Sequence, residues 1–305
     1  MEVTTEHKPD INTPLPTVFQ RPVAETPSAT EPGLVVILPS SSYTTADLLE
    51  LWRFRELFWS LMMREIKVRY KQTILSVGWA VFQPLATLLV FCVFIGWMGK
   101  VAEGIDNYVL FVLCGVIPWT FISNAVTNAG NCLVANERLV TKTYFPRLLL
   151  PMSYIGASLF DCLIALLLTM VWVLITGPAP SVSWLMVPVL LLLMSLTSLG
   201  IGVLLSALIA VQRDFRYILS FGVQLWMFAT PCIYLPVDRS PLPNIVREFL
   251  AVNPAHGLIL NFRHAILGTP IEWMPLCIST ITGLVILYVG LWYFRRVEQT
   301  LADNI

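Results

Sequence analysis

Residues 148–176 read LLLPMSYIGASLFDCLIALLLTMVWVLIT, with Asp161 as the one charged side chain; residues 184–211, WLMVPVLLLLMSLTSLGIGVLLSALIAV, carry none. About 20 apolar residues suffice to cross a bilayer as a helix. In hydrocarbon the backbone N–H and C=O groups must be satisfied within the segment, so such runs fold as helices. The two runs demand an all-α integral membrane protein. Composition agrees: 12% of the 305 residues are charged and 56% hydrophobic, with a mean hydropathy of +0.74. A soluble domain has about 25% charged residues.

Six stretches are read as spans: residues 74–98, 108–128, 148–176, 184–211, 217–235 and 272–294. The second is the weakest by pattern, because Pro118, Asn124 and Asn128 interrupt it. An even number of spans places both termini on one side, and the positive-inside rule chooses the side. Of the 19 Lys and Arg residues, fifteen fall on the side of the termini and four on the other. Both termini are therefore expected in the cytoplasm.

Residues 1–43 read as a polar, flexible tail: Pro9, Pro14, Pro16, Pro22, Pro27 and Pro32 crowd it, and no apolar core of a signal peptide is present. Residues 44–73 read as an amphipathic helix lying in the membrane interface. Asp47, Glu50, Arg53, Glu56, Ser60, Arg64, Lys67 and Lys71 recur at steps of three or four, with Trp52 and Phe58 on other faces. Residues 74–305 form the six-span membrane domain. Two connections are long. The cytoplasmic one, 129–147, is helix-compatible up to Phe145-Pro146. The external one, 236–271, holds two short apolar segments split at Asn253-Pro254. They read as a re-entrant helical hairpin between spans five and six, or else as a surface hairpin on the outer leaflet.

Chemistry is sparse. His7, His256 and His264 belong to no metal or hydrolase motif, and the six cysteines show no C-x-x-C spacing. No catalytic or metal-binding residues are expected. The phosphate-cradling G-x-x-x-x-G-K-[ST] is missing, so the chain is not expected to bind ATP by that device. Asp161 is an acid inside a span, either functional or paired to a neighbouring helix. Arg64, Lys67 and Lys71 share one stripe while Arg69 faces elsewhere; the stripe is either a snorkelling collar or a capture site for an anionic substrate. On the fifth span, Tyr217, Phe221, Gln224 and Phe228 repeat at helical spacing. The first span offers Trp79, Phe82 and Gln83, with Pro84 removing a backbone donor. Aromatic and amide groups on facing helices suit sugar rings, whose C–H faces stack on aromatics; packing between helices is the alternative.

Four motifs carry a family resemblance: KVRYKQTILSVGWAVFQP at 67–84, TKTYFPRLLLP at 141–151, RDFRYILSFGVQLWMFATPCIY at 213–234 and NPAHGLILNFRHAILG at 253–268. In this order they resemble permeases of type-2 ABC exporters, in the branch that exports O-antigen, capsule and teichoic-acid polysaccharide. The resemblance implies a non-enzymatic permease of the cell inner membrane that works as a homodimer. Two copies of a separate ATPase would bind ATP and Mg, and the cargo would be a polyprenyl-pyrophosphate-linked polysaccharide; no nucleic-acid partner is implied. It makes Arg64, Lys67 and Lys71 candidates for the pyrophosphate, and Trp79, Phe82, Gln83, Tyr217, Phe221, Gln224 and Phe228 candidates for the glycan conduit. Glu137, Arg138, Leu139, Lys142 and Tyr144 fall on the segment that couples to the ATPase. Asn253, Pro254 and Arg263 fall at the external gate. One departure stands out: relatives commonly carry an acid where Asn261 precedes Phe262-Arg263, which could pair with a hairpin arginine. Two other functions remain open, export of small hydrophobic drugs or lipids on the same fold, and a membrane glycosyltransferase or ligase. The second lacks paired carboxylates, since Asp238, Glu248 and Glu272 have no catalytic spacing.

Overall fold

The computed structural model describes residues 51–71, 76–97, 107–143, 145–176, 181–230 and 252–298. The expected tail 1–43, Tyr144 and the first half of the external hairpin lie outside them. Among the described residues the chain is helical throughout. Helix α1, Arg55–Lys71, opens with Glu56 and closes with Arg69 and Lys71, charges that complement its dipole. Helix α2, Ser76–Val90, runs on into a π-helical stretch, Phe91–Trp97. Then follow α3, Tyr108–Ala135; the short α4, Glu137–Lys142; and α5, Leu149–Thr176. A 3₁₀ turn, Val182–Leu185, leads into α6, Met186–Val211, and α7 spans Phe215–Phe228. The chain ends with α8, His256–Leu267, and α9, Trp273–Glu298.

Among the described residues four helices can cross a membrane by length and composition: Tyr108–Ala135, Leu149–Leu174, Val182–Val211 and Trp273–Glu298. They match four of the six expected spans. The other two are shorter among the described residues. Helix α7 has 14 residues, about 21 Å at 1.5 Å per residue against a hydrocarbon core of about 30 Å. The apolar part of the α2 region is Leu85–Phe94.

The weakest span by pattern is the best packed. Helix α3 passes through Pro118 without a break, and 72% of its apolar window is buried against 22% for α9. Val112, Cys114, Val116, Ile122, Ala125, Val126 and Ala129 are all fully buried. Helix α3 packs on α5 and α6, and α6 packs on α9. Lipid tails are as apolar as the helices, so association rests on close packing of small residues rather than on the hydrophobic effect. Gly200 and Gly290 bring the backbones of α6 and α9 together: a Cβ on Gly290 would lie 2.4 Å from the Gly200 carbonyl oxygen. A second apolar cluster joins Leu133, Val140, Phe145, Leu149, Val203 and Phe294 where the ends of α3, α6 and α9 meet the start of α5.

Candidate functional site

A groove of about 290 Å³ opens between α2, α3 and α7. From α2 it receives Gln83 and Thr87; from α3, Trp119, Thr120, Ser123 and Thr127; from α7, Ser220, Val223, Gln224 and Met227. Thr120 donates to the Val116 carbonyl at 2.8 Å, Thr87 to Gln83 at 3.0 Å and Ser220 to Arg216 at 3.3 Å. Each hydroxyl spends its proton on its own helix, so its lone pairs remain as acceptors. Trp119 meets Trp226 edge to face at 5.3 Å. The Trp226 indole N–H donates to Asn253 Oδ1 at 2.9 Å, which ties the groove to the break of the external hairpin at Asn253-Pro254.

The structure thus brings Gln83 and Gln224 together from helices far apart in sequence. Tyr217, Phe221 and Phe228 share the exposed face of α7, and Phe82 is exposed on α2, but none of them lines the groove. The Trp79 side chain lies outside the described residues. The α3 residues were missed: Thr120, Ser123 and Thr127 recur at helical spacing, which marks a shared face but not what that face meets.

Arg64, Lys67 and Lys71 do share one face. They line an open groove of about 670 Å³ along α1, with Glu56, Trp59 and Val68. Arg64 is also engaged elsewhere, bonding Glu65 at 2.7 Å and Asn136 Oδ1 at 2.5 Å. Asn136 Nδ2 donates in turn to the Tyr154 hydroxyl at 2.9 Å, and Glu65 is the next partner of that hydroxyl. Arg64, Glu65, Asn136 and Tyr154 therefore join α1, the start of α4 and α5 in one polar cluster. Arg69 is turned toward α5, where it pairs with Asp161, to which Tyr70 also donates. Burial, followed by that bond to Asp161, raises the Tyr70 phenol well above its usual range and keeps it a donor.

On α4, Glu137, Arg138 and Lys142 are exposed, Leu139 is half-buried and Val140 is anchored in the core. Tyr144 lies outside the described residues. At the hairpin, Asn253 bonds Thr230 at 2.8 Å as well as Trp226, and its carbonyl accepts from Ser279. Pro254 is half-buried in the turn that leads into α8. Arg263 is 2% exposed; it donates to the Phe111 carbonyl at 3.0 Å and lies over the Phe111 ring at 3.6 Å. Asn261 faces the other way and grips the backbone of Glu272.

A family model described as ABC-2 type transporter matches residues 56–267. The chain belongs to the ABC-2 type transporter family. It is 26% identical over 241 residues to the O-antigen export system permease protein RfbA of Klebsiella pneumoniae, covering 79% of this chain and 91% of that protein. It is 27% identical over 262 residues to RfbA of Myxococcus xanthus, covering 84% and 98%. The polysialic acid transport protein KpsM of Escherichia coli is 24% identical over 253 residues, covering 80% and 95%. As a membrane subunit of an ABC-2 transporter, the chain implies a separate ATPase as its partner. The family match runs from Glu56, the second residue of α1, to Leu267 at the end of α8.

Proposed function

We propose that this ABC-2 permease moves a polyprenyl-pyrophosphate-linked polysaccharide of the O-antigen or capsule class across the inner membrane. The observation that carries the reading is the uncharged groove in which Gln83 and Gln224 meet a ladder of hydroxyls inside an ABC-2 membrane domain. The permease names of the relatives point the same way.

In this reading residues 1–43 are the cytoplasmic tail, 44–73 the interface helix and 74–305 a six-span domain. The α2 region and α7 supply spans one and five, and α8 is the second arm of a re-entrant external hairpin. Both termini are cytoplasmic, as the charge asymmetry requires. Two copies assemble with two ATPase chains, which hold ATP and Mg. The exposed α7 face of Tyr217, Phe221 and Phe228, with Phe82 and Trp79 of α2, then looks across a conduit toward the second copy. Lys67 and Lys71 recruit the pyrophosphate along the α1 groove, with Arg64 at the end of that stripe where it touches Asn136. Glu137, Arg138, Leu139, Lys142 and Tyr144 dock on the ATPase, and Asn253, Pro254 and Arg263 brace the external gate.

The test uses the purified permease–ATPase complex in proteoliposomes. A polyprenyl-pyrophosphate-linked glycan should stimulate ATP hydrolysis and accumulate across the membrane, while a panel of hydrophobic amines should do neither. The reverse result would hand the protein to the drug or lipid exporters.

A further inference from the structure

Among the described residues the groove between α2, α3 and α7 is lined by no ionisable side chain. The absence extends along the helices that form it. Residues 76–97 and 108–135 contain no Asp, Glu, Lys or Arg, and α7 has only Arg216, in its first turn. Among the described residues, Asp161 and Arg263 of the neighbouring helices are committed elsewhere. Asp161 is held by Arg69 and Tyr70 on the α1 side of α5. Arg263 lies buried over Phe111, toward the other end of α3.

The groove does offer oxygen acceptors, from Thr87, Thr120 and Ser220, and two amides able to donate and accept, from Gln83 and Gln224. A neutral sugar brings several O–H donors per ring and loses little on leaving water for such a wall. A carboxylate brings a charge that must be desolvated with no cation to receive it, a cost that anion pathways avoid by lining themselves with Arg or Lys. We propose that this groove is a subsite for an uncharged, polyhydroxylated glycan and discriminates against glycans with an acidic group in each repeat. The inference rests on the polysaccharide reading and narrows its substrate class.

The experiment compares two substrates in proteoliposomes holding the permease with its ATPase. One is polyprenyl-pyrophosphate-linked polymannose, the other a polymannuronate of equal length on the same lipid. Polymannose should be translocated at least about tenfold faster, a modest demand given the cost of charge inside a membrane. Gln224→Lys, or Ser220→Lys if the first inserts poorly, places a cation at an exposed edge of the groove and should narrow that ratio by raising the polymannuronate rate. Equal rates in the parent protein, or a ratio unmoved by either lysine, would overturn the subsite while leaving polysaccharide export intact. Movement of neither glycan with continuing ATP hydrolysis would overturn the polysaccharide reading, and the subsite with it.

Discussion

The carboxamide of Asn261 uses both of its ends. Its Nδ2 donates to the Gly257 carbonyl at 2.8 Å and the Glu272 carbonyl at 3.0 Å, while Oδ1 accepts from the Glu272 N–H at 2.8 Å. The residue is fully buried, so each bond lost leaves a polar group without water. A carboxylate could keep the acceptor role but has no proton to donate. Asn261→Asp should therefore lower stability by about 1–3 kcal/mol, measured as thermal unfolding in detergent, with Asn261→Ala as the reference for complete loss. The resemblance raised a pairing of the acid common here in relatives with a hairpin arginine, which would leave Asn261 held differently. Residues two apart on a helix point to nearly opposite faces, and Arg263 accordingly faces Phe111. The true partner, eleven residues on, was not readable from a local motif. His256 gives a second test at this scale. Burial, and then the charge of Arg263, lowers its pKa below the ordinary 6.5. Its contribution is complete above that value and is lost as pH falls toward the lowered one, because the unfolded chain takes up a proton first. His256→Gln should flatten the fall in thermal stability between pH 6.5 and lower pH.

Helix pairs differ in what holds them, and substitutions can tell the cases apart. Between α6 and α9 the contact is backbone on backbone: a Cβ on Gly200 would stand 2.5 Å from Leu287 Cα and 2.6 Å from its nitrogen. Neither atom can turn aside, so Gly200→Ala should cost about 1–3 kcal/mol by overpacking. Gly222 on α7 has nothing within 4 Å, and Gly222→Ala should be neutral or gain up to about 1 kcal/mol from helix propensity. The same unfolding assay reads both. Between α1 and α5 an ion pair stands beside the apolar packing of Met62 and Ile66 on Ala157, with side chains 28% and 19% exposed for Arg69 and Asp161. Removing Arg69 alone should cost roughly 1–3 kcal/mol, between the exposed and buried limits, and pairing it with Asp161→Leu should restore most of the loss. The four long helices were legible because a 20-residue apolar run admits one structure in a bilayer. Helix α3 was underrated because Pro118, Asn124 and Asn128 were counted as interruptions, whereas the packed helix runs through all three. The α3 hydroxyl stripe of the groove was hidden for a related reason, since Ser and Thr within a span look alike whether they face a neighbour or a cavity.

At the scale of the whole molecule, the proposed function requires the state of an ATPase outside the membrane to reach a groove inside it. The sequence offered α4 and the α2–α7 wall as candidates for the two ends of that path, but not the polar joint beside α4, because the joint is made of four residues from three separate helices. Asn136 is its centre. It accepts from Arg64 on α1, donates to Tyr154 on α5 and sits at the start of α4. A push on α4 thus reaches the basic face of α1 and the long helix α5 through one side chain. The exposed Glu137 and Arg138 surface is untouched by its replacement. Asn136→Ala, and more gently Tyr154→Phe, should leave ATP hydrolysis by the assembled transporter close to its parent rate. The glycan moved per ATP should fall about 5- to 100-fold, the usual span of a coupling free energy. Glu137→Ala with Arg138→Ala acts at the proposed docking surface instead and should weaken association with the ATPase in a pull-down. Initial rates of hydrolysis and of glycan translocation, measured on the same proteoliposomes, separate the two. A parallel fall of both rates in the Asn136 variant would mean that the cluster merely holds the fold, and that the signal from α4 takes another route.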